Sequence, residues 1–212
     1  MIWDFLKSGP FWALIGVIVG SLLTTVKDVF LDRRNQTRLA TYAAIRIVCV
    51  LDLFTEGCLS VATDGGEDRP QPHGQAEREP TVDEPVLGPF ASDIDWKSLS
   101  PEMAYKILIF PSKIDEAERS IHFAFDMIGG PPDYAEGFEE RQIQYAELGL
   151  AAIEITNELR ERYSIAPLSN ESPDWGPAKR LPEIKNRIDQ SREAERHRRE
   201  AIFGERASAE LS

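Results

Sequence analysis

Between Lys7 and Lys27 the chain carries no charged residue. At 1.5 Å per helical residue that interval is about 28 Å long, close to the roughly 30 Å of bilayer hydrocarbon. The spacing predicts a transmembrane helix over residues 9–27. Trp3 and Trp12, with Phe11, stand near one end as interfacial aromatics, and Lys27, Arg33 and Arg34 close the other. A cleaved signal peptide would need a basic start and a small-x-small site. The start here is Met-Ile-Trp-Asp-Phe-Leu-Lys and the exit is Leu22-Leu23-Thr24-Thr25-Val26-Lys27, which fits neither.

The charge bias orients the span. Lys7 and the terminal amine precede it, whereas Lys27, Arg33, Arg34, Arg38 and Arg46 follow it. The positive-inside rule then leaves residues 1–8 outside and the carboxyl-terminal bulk in the cytoplasm, at a plasma membrane or a bacterial inner membrane. Gly16, Gly20 and Thr24 recur every four residues, giving one helix face without bulky side chains where a second backbone can approach.

A second span is not expected. The stretch from Leu39 to Val61 holds ten Leu, Ile, Val or Phe residues. Together they favour insertion by roughly 3 to 6 kcal/mol, but Arg46 and Asp52 near the centre cost about 2.5 to 3.5 kcal/mol each. Glu56 adds to that cost. On a helical wheel Arg46, Asp52 and Glu56 share one third of the circumference, opposite Ile47, Leu51, Phe54 and Cys58. This is the pattern of a globular helix with one wet face. It runs over residues 28–62 without a Gly or Pro between Val29 and Ala40 to separate it from the span.

A net charge of −12 and a pI near 4.8 exclude nucleic acid as a standing partner, because that binding depends on clustered Lys and Arg. The cations that do cluster sit beside the span, where anionic lipid attracts them. Cys49 and Cys58 are the only cysteines. Nine residues apart on a helix, they are too distant to bridge, which suits a reducing compartment and buried, unreactive thiols.

Beyond residue 62 the composition turns to Pro, Gly and acids, and residues 63–94 read as a disordered acidic loop. Order returns over 95–166. Ser100 before Pro101 is a helix start, and Ser112 with Asp115 after Pro111 repeats the capping pattern. Met103, Ile107, Phe110, Ile114, Ala117, Ile121 and Ala124 alternate four and three apart, the seam spacing of packed or coiled-coil helices. Gly129 to Pro132 stop this run, and a further helix is predicted over Tyr134 to Tyr163. It carries Phe138, Tyr145, Leu148, Ala152, Ile155 and Leu159 on one broad side. Residues 167–181 read as a linker. Residues 182–212 are expected to form a charged helix from Pro182 to about Phe203, with Leu181, Ile184 and Ile188 as its early apolar contacts, followed by a tail from Gly204 that frays.

For chemistry the best candidates are Glu118, His122 and Asp126, spaced i, i+4, i+8. Di-metal bundles use a Glu-x-x-His pair from each of two helices instead, so this stripe reads as a polar helix face. His73 and His197 lie in polar surroundings and read as solvated. No phosphate-binding glycine loop, zinc-ligand pair or nucleophile elbow is present. Trp96 and Trp175 border flexible stretches and are expected to pin loop ends onto the bundle.

The expected fold is mainly α: one N-terminal transmembrane helix followed by a cytoplasmic bundle of three to four helices with a disordered loop. The expected function is that of a membrane-anchored, non-enzymatic interaction or assembly module. Its partners would be membrane lipid and a second copy or another membrane protein, with no nucleic acid, cofactor, metal or catalytic residue assigned. Alternatives are an accessory subunit of a transporter or envelope complex packed through the span, and a membrane-bound enzyme using Glu118, His122 and Asp126.

Overall fold

A computed structural model describes residues 9–70, 74, 76–167 and 175–210. The chain is mainly helical, and its first helix, α1 (Gly9–Thr63), continues unbroken from the apolar run into the bundle. At 1.5 Å per residue it is a rod of roughly 80 Å. Among the described residues no helix is long and apolar enough to cross a membrane. The side chains of residues 9–19, 22, 24–26 and 28 lie outside the described ones, so the expectation of a span over 9–27 falls largely there, as do Trp3, the surroundings of Gly16 and the side chains of Trp12 and Thr24.

The second half of α1 is the central staff of the bundle. Ile47, Leu51, Phe54 and Cys58 are buried, together with Ala40, Ala44 and Val61. The sequence placed the first four on the core side, and the burial pattern agrees. Residues 27–39 are exposed wherever their side chains are described, so α1 projects beyond the bundle as a stalk carrying Lys27, Arg33 and Arg34 in solvent.

Three further helical elements pack on this staff. α2 (Pro101–Leu108) and α3 (Phe110–Phe123) together form one kinked helix that a π-turn, Ala124–Ile128, extends. Ser100 caps α2 by accepting the Met103 amide at 3.4 Å, with Pro101 in the first turn. Ser112 does not cap α3. The backbone stays right-handed helical at Ile109, so α3 begins at Phe110 and Ser112 falls inside its first turn. Pro111 is tolerated there because its missing N–H would have had no partner. The predicted seam from Met103 to Ala124 is buried throughout, and Phe110 meets Phe54 edge to face at 5.6 Å between centroids.

α4 (Ala135–Tyr163) runs antiparallel to α1 and makes the largest contact with it. Phe138, Tyr145, Leu148, Ala152, Ile155 and Leu159 all face the core. Arg160 near its end reaches Asp52 of α1 at 2.7 Å, so Asp52 belongs to an interhelical ion pair rather than to a wet face. α5 (Pro177–Glu210) starts five residues before the predicted Pro182, which it accommodates internally. Burial of Pro177, Leu181 and Ile184 offsets the lost hydrogen bond. Leu181, Ile184 and Ile188 join Ala62, Ile143 and Ala146 in a second apolar cluster.

The acidic segment departs from expectation. Residues Glu67–Pro70 (β1) and Ala76–Glu79 (β2) form an antiparallel ribbon that pairs Asp68 with Arg78 and Arg69 with Glu77. Ion pairs Arg69–Glu79 (3.0 Å) and Arg78–Asp68 (3.3 Å) cross it, and the Arg78 amide donates to the Pro132 carbonyl. Downstream, Val82, Leu87, Phe90 and Ala91 pack on the core, Ile94 is buried, and Pro85 lies against Gly57. The segment has no period of its own. It docks because the helices offer a surface that its scattered apolar residues can cover.

Gly149 of α4 marks the tightest crossing. A Cβ there would lie 2.6 Å from Leu181 Cδ1 and 3.1 Å from Cys58 Cβ, where α1, α4 and α5 meet. Gly149→Val is expected to lower stability by about 1 to 3 kcal/mol through overpacking. Urea denaturation checks this, and an unchanged midpoint would contradict so close a junction.

Candidate functional site

A buried carboxylate–guanidinium pair organises the end of the bundle away from the stalk. Asp64 follows the last residue of α1, and Arg141 sits nearly two turns into the core face of α4, between Phe138 and Tyr145. Arg141 is 2% exposed and Asp64 6%. The Arg141 Nη1 donates to Asp64 Oδ2 at 2.9 Å and its Nη2 to the Val82 carbonyl. Asp64 Oδ1 accepts the Gly66 amide (2.9 Å) and the Thr81 hydroxyl (2.6 Å), while Oδ2 accepts the Thr81 and Val82 amides. Gln142 donates to the Asp64 carbonyl at 2.8 Å. Gly66 takes a positive φ of 72°, which lets the chain turn back over this carboxylate.

Burial alone would push the Asp64 carboxyl up, but the hydrogen bonds from Thr81, Gly66 and Val82 outweigh it and hold the group down at about 2. The pair is therefore a structural clasp between α1, α4 and the acidic segment. With its carboxyl ionised, Asp64 offers no proton at neutral pH.

A second carboxylate network lies between α3, α4 and α5. Glu140 accepts from Ser120 (2.6 Å), Gln144 (2.7 Å) and Arg192 (2.9 Å). Burial raises its carboxyl, and these three donors more than reverse the effect, so it sits below the usual range. Beside it runs an open groove of ≈ 430 Å³, lined by Lys113, Glu116, Ala117, Ser120, Gln144, Glu147, Leu148 and Ala151. Ser120 spends its proton on an ionised carboxylate with no imidazole in the network, an arrangement that does not activate a hydroxyl.

The stripe Glu118, His122 and Asp126 is not assembled into a site. His122 and Asp126 are exposed and Glu118 is half-buried. The π-turn at Ala124–Ile128 rotates Asp126 out of the four-residue phase. Among the described residues no group of three His, Cys, Asp or Glu side chains is placed to hold a metal. The Tyr145 hydroxyl is buried without a hydrogen-bond partner among the described residues, and burial, followed by Glu84 and Glu118, pushes its proton affinity up. Burial likewise raises the Cys58 thiol, as expected for an unreactive cysteine, whereas Cys49 is exposed and departs from that expectation.

Trp96 packs on the core and meets Phe90 edge to face at 5.6 Å, pinning the end of the acidic segment. Trp175 is 71% exposed under the Arg180 guanidinium and pins nothing onto the bundle. The outer face of α1 exposes Leu31, Tyr42, Ile45 and Leu53, each at least 41% exposed. Sequence reasoning missed the Asp64–Arg141 clasp. Its signals were an arginine inside the apolar stripe of α4 and an aspartate followed by two glycines where α1 stops.

No protein-family model matches the chain, and neither a curated protein nor a solved structure shows significant similarity to it.

Lowering the pH should weaken the clasp with a definite sign. Because the folded-state carboxyl of Asp64 is depressed, its contribution is present above about pH 4 and is lost as pH falls toward 2, on the order of 2 kcal/mol in all. Arg141→Met should cost about 3 to 5 kcal/mol by stranding the buried carboxylate. Urea unfolding of both chains between pH 2 and 7 checks this, and a variant as stable as the parent at pH 7 would contradict the clasp.

Proposed function

We propose that the chain is a single-pass, membrane-anchored, non-enzymatic interaction module whose helical bundle stands in the cytoplasm on a helical stalk. The observation that carries this reading is the uncharged run from Ser8 to Val26 on a helix that continues, unbroken from Gly9, into the centre of the bundle. An anchor joined this way transmits orientation, because no hinge separates it from the domain it holds. Lys27, Arg33 and Arg34 sit where they would meet lipid head groups, and the carboxyl-terminal helix extends away from the stalk.

The chemistry of the bundle supports binding over catalysis. Its buried carboxylate Asp64 and the half-buried Glu140 are held by structural donors, and the groove between α3 and α4 is mixed and open. A second reading, an accessory subunit packed on another membrane protein, is favoured by the Gly16, Gly20 and Thr24 face. A Cβ on Gly20 would meet nothing within 4 Å.

Alkaline carbonate extraction of membranes from cells making the full chain tests the anchor. The protein should stay in the pellet, and a reporter fused after Ser212 should be active on the cytoplasmic side only. Release into the supernatant would overturn the span, and reporter activity on the far side would overturn its orientation. Gly16→Leu with Gly20→Leu should leave the anchor intact while abolishing any co-purifying membrane partner of the second reading.

A further inference from the structure

We propose that the outer face of α1 is a parallel homodimer interface, formed by the α1 helix of a second copy of this chain. At 100° per residue, Leu31, Tyr42, Ile45, Cys49 and Leu53 fall within a sector of about 80°. Ile47, Leu51, Phe54 and Cys58, which face the core, lie on the opposite side. The exposed face is therefore not a fringe of the core. It is a mainly apolar stripe about 33 Å long from Leu31 to Leu53, interrupted by Asn35 and Arg38, with the Arg46 guanidinium over the Tyr42 ring, and it stays exposed among the described residues.

Three features on this face select a second copy over an unrelated partner. Continued toward the amino terminus in the same helical phase, the stripe passes through Thr24, Gly20 and Gly16, the small-residue spacing at which like helices approach closely. In heptad terms Leu31, Arg38 and Ile45 take d positions and Asn35, Tyr42 and Cys49 take a positions, with Asp28 at the a position before them and Asp52, held by Arg160 of its own chain, at the d position after them, so the seam is bounded by Leu31 and Cys49. A single asparagine at a is the residue that fixes register in parallel two-stranded coils. In that register Lys27 occupies g and Asp32 the following e, so each copy presents a cation to its partner's anion on both flanks. Lys27 and Asp32 are both exposed and available for it. Arg38 is the unfavourable member between the two aspartates that bound the seam, Asp28 and Asp52. Its length lets the guanidinium stay in water, at a cost to affinity.

The parallel sense agrees with the anchored-module reading, on which it rests for orientation: two copies in one membrane present their stalks side by side, stripe to stripe and in register. The two-fold axis then brings Cys49 of each copy together, at a separation that a disulfide can close. Cys58, buried behind the same helix, cannot take part.

The test is oxidation of the full chain with Cu(II)-phenanthroline and O2 as electron acceptor, in membranes and in mild detergent, followed by non-reducing electrophoresis. The parent chain should form a covalent dimer at least about ten-fold faster than Cys49→Ser carrying Tyr105→Cys, an exposed control on α2, since paired thiols see millimolar effective concentrations. Leu31→Cys and Tyr42→Cys, each in Cys49→Ser, should trap the dimer equally well, because in a parallel pair each residue faces its own copy. Native mass measurement in detergent should find Arg38→Leu more dimeric than the parent and Ile45→Asp less so. Trapping no faster than the Tyr105 control overturns the interface. Trapping at residue 49 without residue 31 overturns the parallel register. A chain released by carbonate that still traps at 31, 42 and 49 would refute the anchor while upholding the dimer.

Discussion

Desolvating a carboxylate and a guanidinium together costs several kcal/mol, and a fold keeps such a pair only where surrounding donors and acceptors repay it. At Asp64 and Arg141 the repayment comes from Gly66, Thr81 and Val82, which bind the carboxylate, and from the Val82 carbonyl, which binds the guanidinium. Those groups belong to the acidic segment. The pair thus fixes where α1 stops, how α4 is placed against it, and where the chain returns over both. The ribbon, the docking of Val82 and Leu87, and the covering of Gly57 by Pro85 all follow from that one return.

The helical skeleton was legible in the sequence because amphipathic periodicity is a local signal. The seam from Met103 to Ala124, the core side of α1 and the broad face of α4 could each be read from spacing, and burial agrees residue by residue. The acidic segment was not legible for the same reason. Val82, Leu87, Phe90 and Ile94 have no period, and their burial depends on helices that are distant in sequence. Charge composition predicted disorder there, yet the acids at Asp64, Asp68 and Glu79 have arginine partners. Ser112 failed as a cap because the backbone at Ile109 remained helical, a tertiary outcome of packing Phe110 on Phe54. Arg141 was overlooked because a cation in an apolar stripe looks like an interruption until its anion is known.

One helix carries two faces with different tasks. The inner face of α1 holds the core, and the outer face keeps Leu31, Tyr42, Ile45 and Leu53 in solvent. On the proposed reading, the apolar run before it, the cations at Lys27, Arg33 and Arg34 and the unbroken backbone act as a mount for the bundle. On this account the chemistry lies at surfaces, not in a pocket.

Native-state hydrogen exchange at the amides of Thr81 and Val82 tests the central claim most directly, since both donate to the buried Asp64 carboxylate. The account predicts protection of these two amides approaching that of the α1 core around Ile47 and Leu51. Exchange at the rate of an unstructured chain, while Ile47 and Leu51 stay protected, would contradict it and return the acidic segment to disorder.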